Sequence, residues 1–307
     1  IRNWHSNVYL CNIYYLYIWS SSKARLGNLM IVAKYRKKEL VANYTILTFL
    51  ASIALFPILL LFFNSIKPQE EFGVNALGFP KTIRFANFLD AWELGNYAQI
   101  FLNSFQLVIG TLIICLLFSG FAAFSLARLK PKGSMIFAIY LLVGISIPAQ
   151  MFILPLFLMW KNLNLIDTHI GLIIIYSGLN APFATFLIRS YMIQLPEELF
   201  DAARIDGANP FQLFAKIAVP LSWPVFLTAG LVVGLAVWNE FLFALTFIQD
   251  ENSKPISTIL FAFQTRFENN WGLVSASAVM MVAPVAILFM IFQRRFIAGL
   301  TSGGLKG

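Results

Sequence analysis

The sequence predicts an all-α integral membrane protein with six transmembrane helices and a polar helical hairpin between the fourth and the fifth. Three observations carry this. Of 307 residues, 59% are hydrophobic and 12% charged, where soluble domains hold about 45–50% and about 25%. Six apolar runs, near 43–64, 103–127, 134–159, 169–190, 221–247 and 273–293, are long enough to cross a bilayer. Between the fourth and fifth, Pro196–Pro224 carries 4 acids and 2 bases. Each run is expected to be helical, because lipid cannot satisfy backbone N–H and C=O groups.

In chain order, residues 1–29 read as an N-terminal extension, disordered or not native, and 30–307 as one transmembrane domain. Val8–Trp19 is aromatic and apolar but far short of the ~20 residues a crossing needs. Met30, followed by Lys34, Arg36, Lys37 and Lys38, looks like a start. A segment lying on the membrane surface is the alternative. No small-residue cleavage site follows, so a signal peptide is disfavoured.

The connections alternate in charge. With the N-terminus in the cytoplasm, the inside segments hold 13 Lys and Arg and the outside segments 6. That bias places both termini and the hairpin in the cytoplasm. The +8 net charge sits at the ends of spans, so topology explains it and nucleic acid is not an expected partner. Cys11 and Cys115 make no disulfide framework, and Cys115 reads as a packed small hydrophobe. His5 and His169 have no clustered partners, so no metal site is expected. Ser65–Phe101 is the longest outside loop. Trp271 ends the second, Gln249–Trp271, as an interfacial anchor.

In the hairpin, Pro196 suits a first helical position and Glu197 and Glu198 favour a helix N-terminus. The first helix is expected to reach about Asp206, with Gly207 supplying the turn. Asn209-Pro210 reads as the cap and first residue of a second helix that ends before Pro220. Leu195, Leu199, Ala202 and Ala203 would share one apolar face, and Phe211, Phe214, Ala215 and Ala218 another.

These residues resemble the EAA loop of binding-protein-dependent ABC importer permeases. That pattern is E-A-A, three residues, G, nine residues, I-x-L-P. Here it reads Asp201-Ala202-Ala203, three residues, Gly207, nine residues, Ile217-Ala218-Val219-Pro220, with Asp for Glu and Val for Leu. Ala203–Ala208 and Pro220–Pro224 look like the carbohydrate-uptake, maltose-permease-like branch, and the tail Phe296–Gly307 resembles that family's ending. The resemblance covers roughly Met30 to Gly307. It implies a cytoplasmic coupling helix that docks on an ATPase through Glu198, Asp201, Ala202, Ala203, Asp206, Gly207, Ile217 and Pro220. The implied partners are a pair of ATP-binding cassette ATPase subunits, a second homologous permease, an extracellular solute-binding protein, a di- or oligosaccharide and membrane lipid. The implied location is the bacterial inner membrane. No G-x-x-x-x-G-K-[ST] is present, so the chain is expected to bind no cofactor and to leave ATP hydrolysis to its partner.

Polar and helix-breaking residues within spans are candidates for the pathway. They are Gln150 beside Pro148, Asn180 beside Pro182, and the cluster Trp238, Asn239, Glu240 and Phe241. A sugar suits such groups, since amides and carboxylates bond hydroxyls and aromatic rings stack on its apolar face. Packing between helices is the alternative for all of them. Gly230 and Gly234 form a G-x-x-x-G pair suited to close helix approach. Other readings stay open at this stage. One is an ABC permease for another solute, such as glycerol phosphate or a peptide, and a phosphate-carrying solute would favour basic residues within spans. An ion-coupled transporter would want intramembrane carboxylates, and a membrane-embedded enzyme would want paired acids, histidines or metal ligands.

Overall fold

A computed structural model describes residues 40–261 and 270–304, with side chains as far as Gln293. The expectations for residues 1–29, Arg266 and the tail from Phe296 fall wholly or partly outside the described residues. Every described element is helical. In order they are α1 (Leu40–Ser65), α2 (Gln69–Phe72), α3 (Ala86–Leu94), α4 (Tyr97–Leu129), α5 (Ser134–Ser146), α6 (Ala149–Asn162) and α7 (His169–Met192). There follow α8 (Glu197–Ile205), α9 (Pro210–Leu221), α10 (Trp223–Asn239), α11 (Leu242–Phe247) and α12 (Trp271–Gly304). Among the described residues four helices are long and apolar enough to cross a membrane, and up to six spans result when each of two bent pairs counts as one.

The chain divides into two units after Leu60. In the first, residues 40–59 are exposed throughout, as suits a helix that is apolar on all sides in lipid. In the second, α4 and α7 pack along one another and α10 packs on both. Their shared core holds Leu107, Cys115, Leu172, Ile175, Tyr176, Val233 and Val237. Cys115 is buried beside Ser119, as its apolar run suggested.

Two predicted spans are not single straight helices. The run 134–159 bends by 93° between α5 and α6. Ile147 is extended (φ −87°, ψ 127°) ahead of Pro148. A residue before proline is pushed from the helical region, and proline itself donates no hydrogen bond. The run 221–247 is cut twice. It bends by 77° at Ser222, between Pro220 and Pro224, and it breaks again at Glu240 and Phe241 before α11.

The loop from α1 to α4 is fixed by buried polar groups. The Lys67 ammonium donates to Asn64 Oδ1 (2.9 Å) and to the Asn75 carbonyl (2.8 Å). Burial lowers its pKa, partly opposed by Glu71. Asn87 Nδ2 donates to the carbonyls of Ser65 (3.0 Å) and Lys67 (2.8 Å). The Glu71 carboxylate accepts from the Lys81 N–H (2.9 Å), which is the main reason its pKa lies below the ordinary value. The next long helix of the bundle, α7, starts on a Thr168 cap, whose Oγ1 accepts from the Gly171 N–H (3.1 Å).

Candidate functional site

The hairpin α8–α9 follows the residue chemistry closely. Pro196 is the cap of α8 (ψ 131°) and stands one place before the first helical turn, where it had been expected. Gly207 has φ +83°, a left-handed conformation that glycine adopts without steric cost. Its N–H donates to the Arg204 carbonyl (3.0 Å) and that of Ala208 to the Ala203 carbonyl (2.9 Å). This pair of bonds is a Schellman motif, which satisfies carbonyls at the end of α8. Asn209 caps α9 through a capping box with Gln212, with Pro210 behind it. Each partner satisfies a backbone N–H of the other, so the turn has little freedom to open.

α9 departs from expectation by running through Pro220 to Leu221. Its middle, Phe214–Ala218, is a π turn. The wider turn carries the helix past a residue that donates no hydrogen bond.

The faces also differ from the predicted ones. The hairpin packs on the bundle through Phe200, Leu213, Phe214 and Ala218, against Phe124, Ala127, Ile188 and Met192. Phe214 stacks on Phe121 at 4.4 Å between ring centres. Ala203 and Leu195 lie at the edge of this core. Leu199 (45% exposed), Ala202 and Ile205 (86%) face away from it, while Phe211, though 65% exposed, stacks on Phe121 at 6.3 Å between ring centres. Helical spacing alone found an apolar side but could not say which part of a wide apolar arc meets the bundle.

Of the predicted coupling residues, Glu198, Asp201, Ala202, Asp206, Gly207 and Pro220 are exposed, while Ala203 and Ile217 are half-buried. Arg204 donates to Asp201 Oδ1 (2.6 Å) and Glu197 Oε1 (3.2 Å). These contacts, Asp201 first, raise the guanidinium pKa. So the acid of the D-A-A motif is part of a surface ion network.

Arg128, read from sequence only as a topology charge, proves central. Its side chain is 5% exposed. Nη1 donates to Glu197 Oε2, and Nη2 donates to the carbonyls of Met192 (2.6 Å) and Leu195. The guanidinium lies 4.5 Å from the Phe200 ring centre. A basic residue closing an apolar span was the available signal, but its partners lie more than 60 residues away and no local pattern reveals them.

The polar breaks of the spans are mostly engaged within the fold. Glu240 Oε1 accepts from the Phe243 N–H (2.9 Å). Its Oε2 accepts from the Ala244 N–H (3.1 Å) and the Tyr176 hydroxyl (2.7 Å). The carboxylate therefore caps α11 and ties it to α7. Trp238 is buried, donates from Nε1 to the Met281 carbonyl (3.2 Å) and packs against Phe101 and Phe105. Asn180 bonds back to the Tyr176 carbonyl (2.8 Å) and Asn239 to that of Leu235 (2.9 Å). Gln150 and Asn239 are exposed, and Phe241 is half-buried beside Phe261. Gly230 and Gly234 face Val108, Leu112 and Leu116 of α4. Among the described residues no cluster of His, Cys, Asp or Glu could hold a metal ion.

The profile of the family described as "Binding-protein-dependent transport system inner membrane component" matches residues 116–302. This chain belongs to that family. The permease is 33% identical to "Probable ABC transporter permease protein YurM" of Bacillus subtilis (strain 168), over 89% of this chain and 92% of that protein. It is 37% identical to "Arabinooligosaccharides transport system permease protein AraQ" of Halalkalibacterium halodurans, over 84% and 94%. In fold it resembles a chain in the crystal structure of a bacterial ABC transporter involved in the import of the acidic polysaccharide alginate. The TM-score is 0.73 at 24% identity, covering 83% of the permease and 95% of that chain. The permease is thus a multi-pass membrane component of the ABC transporter type.

Proposed function

We propose that this permease carries a sugar, of di- or oligosaccharide size, from an extracellular solute-binding protein into the cytoplasm. A separate pair of ATPase subunits drives it through the α8–α9 hairpin, and a second homologous permease completes the path. One observation carries the reading. The hairpin's inner side is already filled by the bundle, yet its outer side keeps Leu199, Ala202 and Ile205 exposed beside an ion network. Burying each large apolar side chain is worth about 1.5–3 kcal/mol, so such a strip favours a protein partner.

The excess of basic residues at this end of the spans supports a cytoplasmic hairpin and cytoplasmic termini. Sugar as cargo is supported by the arabinooligosaccharide named for one relative and the alginate named for the structural neighbour. Exposed Gln150 and Asn239, with Phe241, are the pathway residues this reading retains. Glu240, Trp238 and Asn180 act by shaping the helices around them.

The double variant Leu199→Glu/Ile205→Glu tests docking. Both side chains point to water, so the permease keeps its melting temperature. The ATPase pair no longer co-purifies, and ATP-driven uptake is lost. Normal co-purification and uptake would overturn the proposal. Binding of labelled arabinotriose and raffinose to the solute-binding protein of the same system tests the cargo class, and selective binding of amino acids or peptides would refute it.

A further inference from the structure

We infer that Arg128 is the positioning residue through which movement of the hairpin reaches the membrane helices. This rests on the coupling role proposed above for α8. Arg128 stands in the π turn Ser125–Leu129 that ends α4, just before Lys130, which is left-handed at φ 44°. From there one guanidinium joins three elements: its own α4, the last residue of α7 with the link after it, and the first turn of α8.

The contacts have the stiffness such a joint needs. The Arg128 bonds go to the Met192 carbonyl, which also accepts from the Leu195 N–H (3.3 Å), and to the Leu195 carbonyl in the link beyond, next to a helix C-terminus whose dipole favours a cation. Glu197 and the face of Phe200 hold the same group from the α8 side. A planar guanidinium engaged on several edges and one face resists rotation as a single ammonium would not. Apolar contacts between Phe200, Phe124 and Leu213 can slide, whereas this fork cannot move without breaking bonds. Among the described residues, Arg128–Glu197 is also the one ion pair that joins a membrane helix to the hairpin.

The joint continues to the docking face. Glu197 Oε2 takes Arg128 and its Oε1 takes Arg204, which in turn holds Asp201 of the D-A-A motif. A pull on Asp201 therefore has a charged route of three contacts into α4, and the Arg128 bond to the Met192 carbonyl carries it on to α7.

The test uses the assembled transporter in lipid nanodiscs, with a maleimide reporter at Asn239→Cys and Cys11 replaced by serine. Labelling rate is measured with and without ATP plus vanadate, beside ATP hydrolysis. In the otherwise native chain, nucleotide trapping is expected to change the labelling rate by about fivefold or more. Arg128→Met is expected to keep the ATPase bound and hydrolysing while that change disappears. Arg128→Lys, which keeps charge but not the fork, is expected to restore part of it. An Arg128→Met complex with the full native response overturns the inference.

If Arg128→Met fails to assemble, Glu197→Gln decides. Its side chain is half exposed and its loss leaves the carbonyl contacts intact. A diminished response with normal ATPase binding supports the joint. A full response means that Arg128 serves folding alone and overturns it. Absence of any nucleotide response in the otherwise native chain counts against the coupling role of the hairpin itself, and ATPase co-purification reports that role separately.

Discussion

Replacing Glu240 by alanine should destabilise the fold more than it alters any contact with cargo. The carboxylate accepts from the Phe243 and Ala244 N–H groups at 2.9 and 3.1 Å and from the Tyr176 hydroxyl at 2.7 Å. Alanine removes the acceptor of all three donors. Each stranded donor costs about 1–3 kcal/mol, and local relaxation recovers part of the sum, so a net loss of about 3–5 kcal/mol is expected. Glu240→Gln keeps one carbonyl oxygen as acceptor and should cost about 1–2 kcal/mol. Tyr176→Phe should cost a similar amount, and the double variant Tyr176→Phe/Glu240→Ala should cost less than the sum, because the two changes remove one shared bond. Thermal unfolding in nanodiscs reads the stability, and hydrogen exchange at Phe243 and Ala244 reads the start of α11. A Glu240→Ala chain that melts and exchanges like the native one, yet fails in uptake, would refute the capping role and return the carboxylate to the pathway.

Two further predictions come from other parts of the fold. A Cβ at Gly171 would lie 2.4 Å from the Leu165 carbonyl and 2.9 Å from Trp160 Nε1, so Gly171→Ala should cost about 2–4 kcal/mol. At Gly234 the nearest atoms are 3.6 and 3.7 Å away, so Gly234→Ala should melt at or slightly above the native temperature. The pair of melting temperatures checks both, and equal losses would contradict the packing described. Glu71 has a lowered pKa in the folded state. Its contribution is therefore complete above the ordinary carboxylate value, about 4.3, and is lost as pH falls through the lower folded value. Protection factors for hydrogen exchange at the Lys81 and Thr82 amides, corrected for the intrinsic pH dependence of exchange, should hold from pH 7 to about 5 and fall in stronger acid, while Glu71→Gln should remove that fall.

Much of the fold was legible because the controlling physics is local. Apolar run length located the crossings, and Gly207, Asn209 and Pro210 announced the hairpin's turns through their backbone preferences. The bends were only half legible. Pro148 and Pro220 marked where a helix could fail, but proline alone does not say whether it will break a helix or be absorbed. At Pro148 the chain turned by 93°, while at Pro220 a π turn carried it onward to the bend at Ser222. The site was less legible because its interactions are distant in sequence. Arg128 meets Glu197 across 69 residues, and Glu240 meets Tyr176 across 64. A charged residue inside a span, such as Glu240, implied a cavity or a partner and gave no indication of which, and Arg128 beside its span read only as a topology charge. The sequence marked Glu240 as a pathway candidate, and the structure adds the backbone N–H groups it caps.

The role given to the hairpin stands or falls with what touches Ile205, the most exposed large hydrophobic side chain of α8. A photo-crosslinking amino acid placed at position 205 in intact cells should capture the ATPase subunit on illumination. Capture of an extracellular protein, or none of the ATPase in cells that assemble a working transporter, would contradict it.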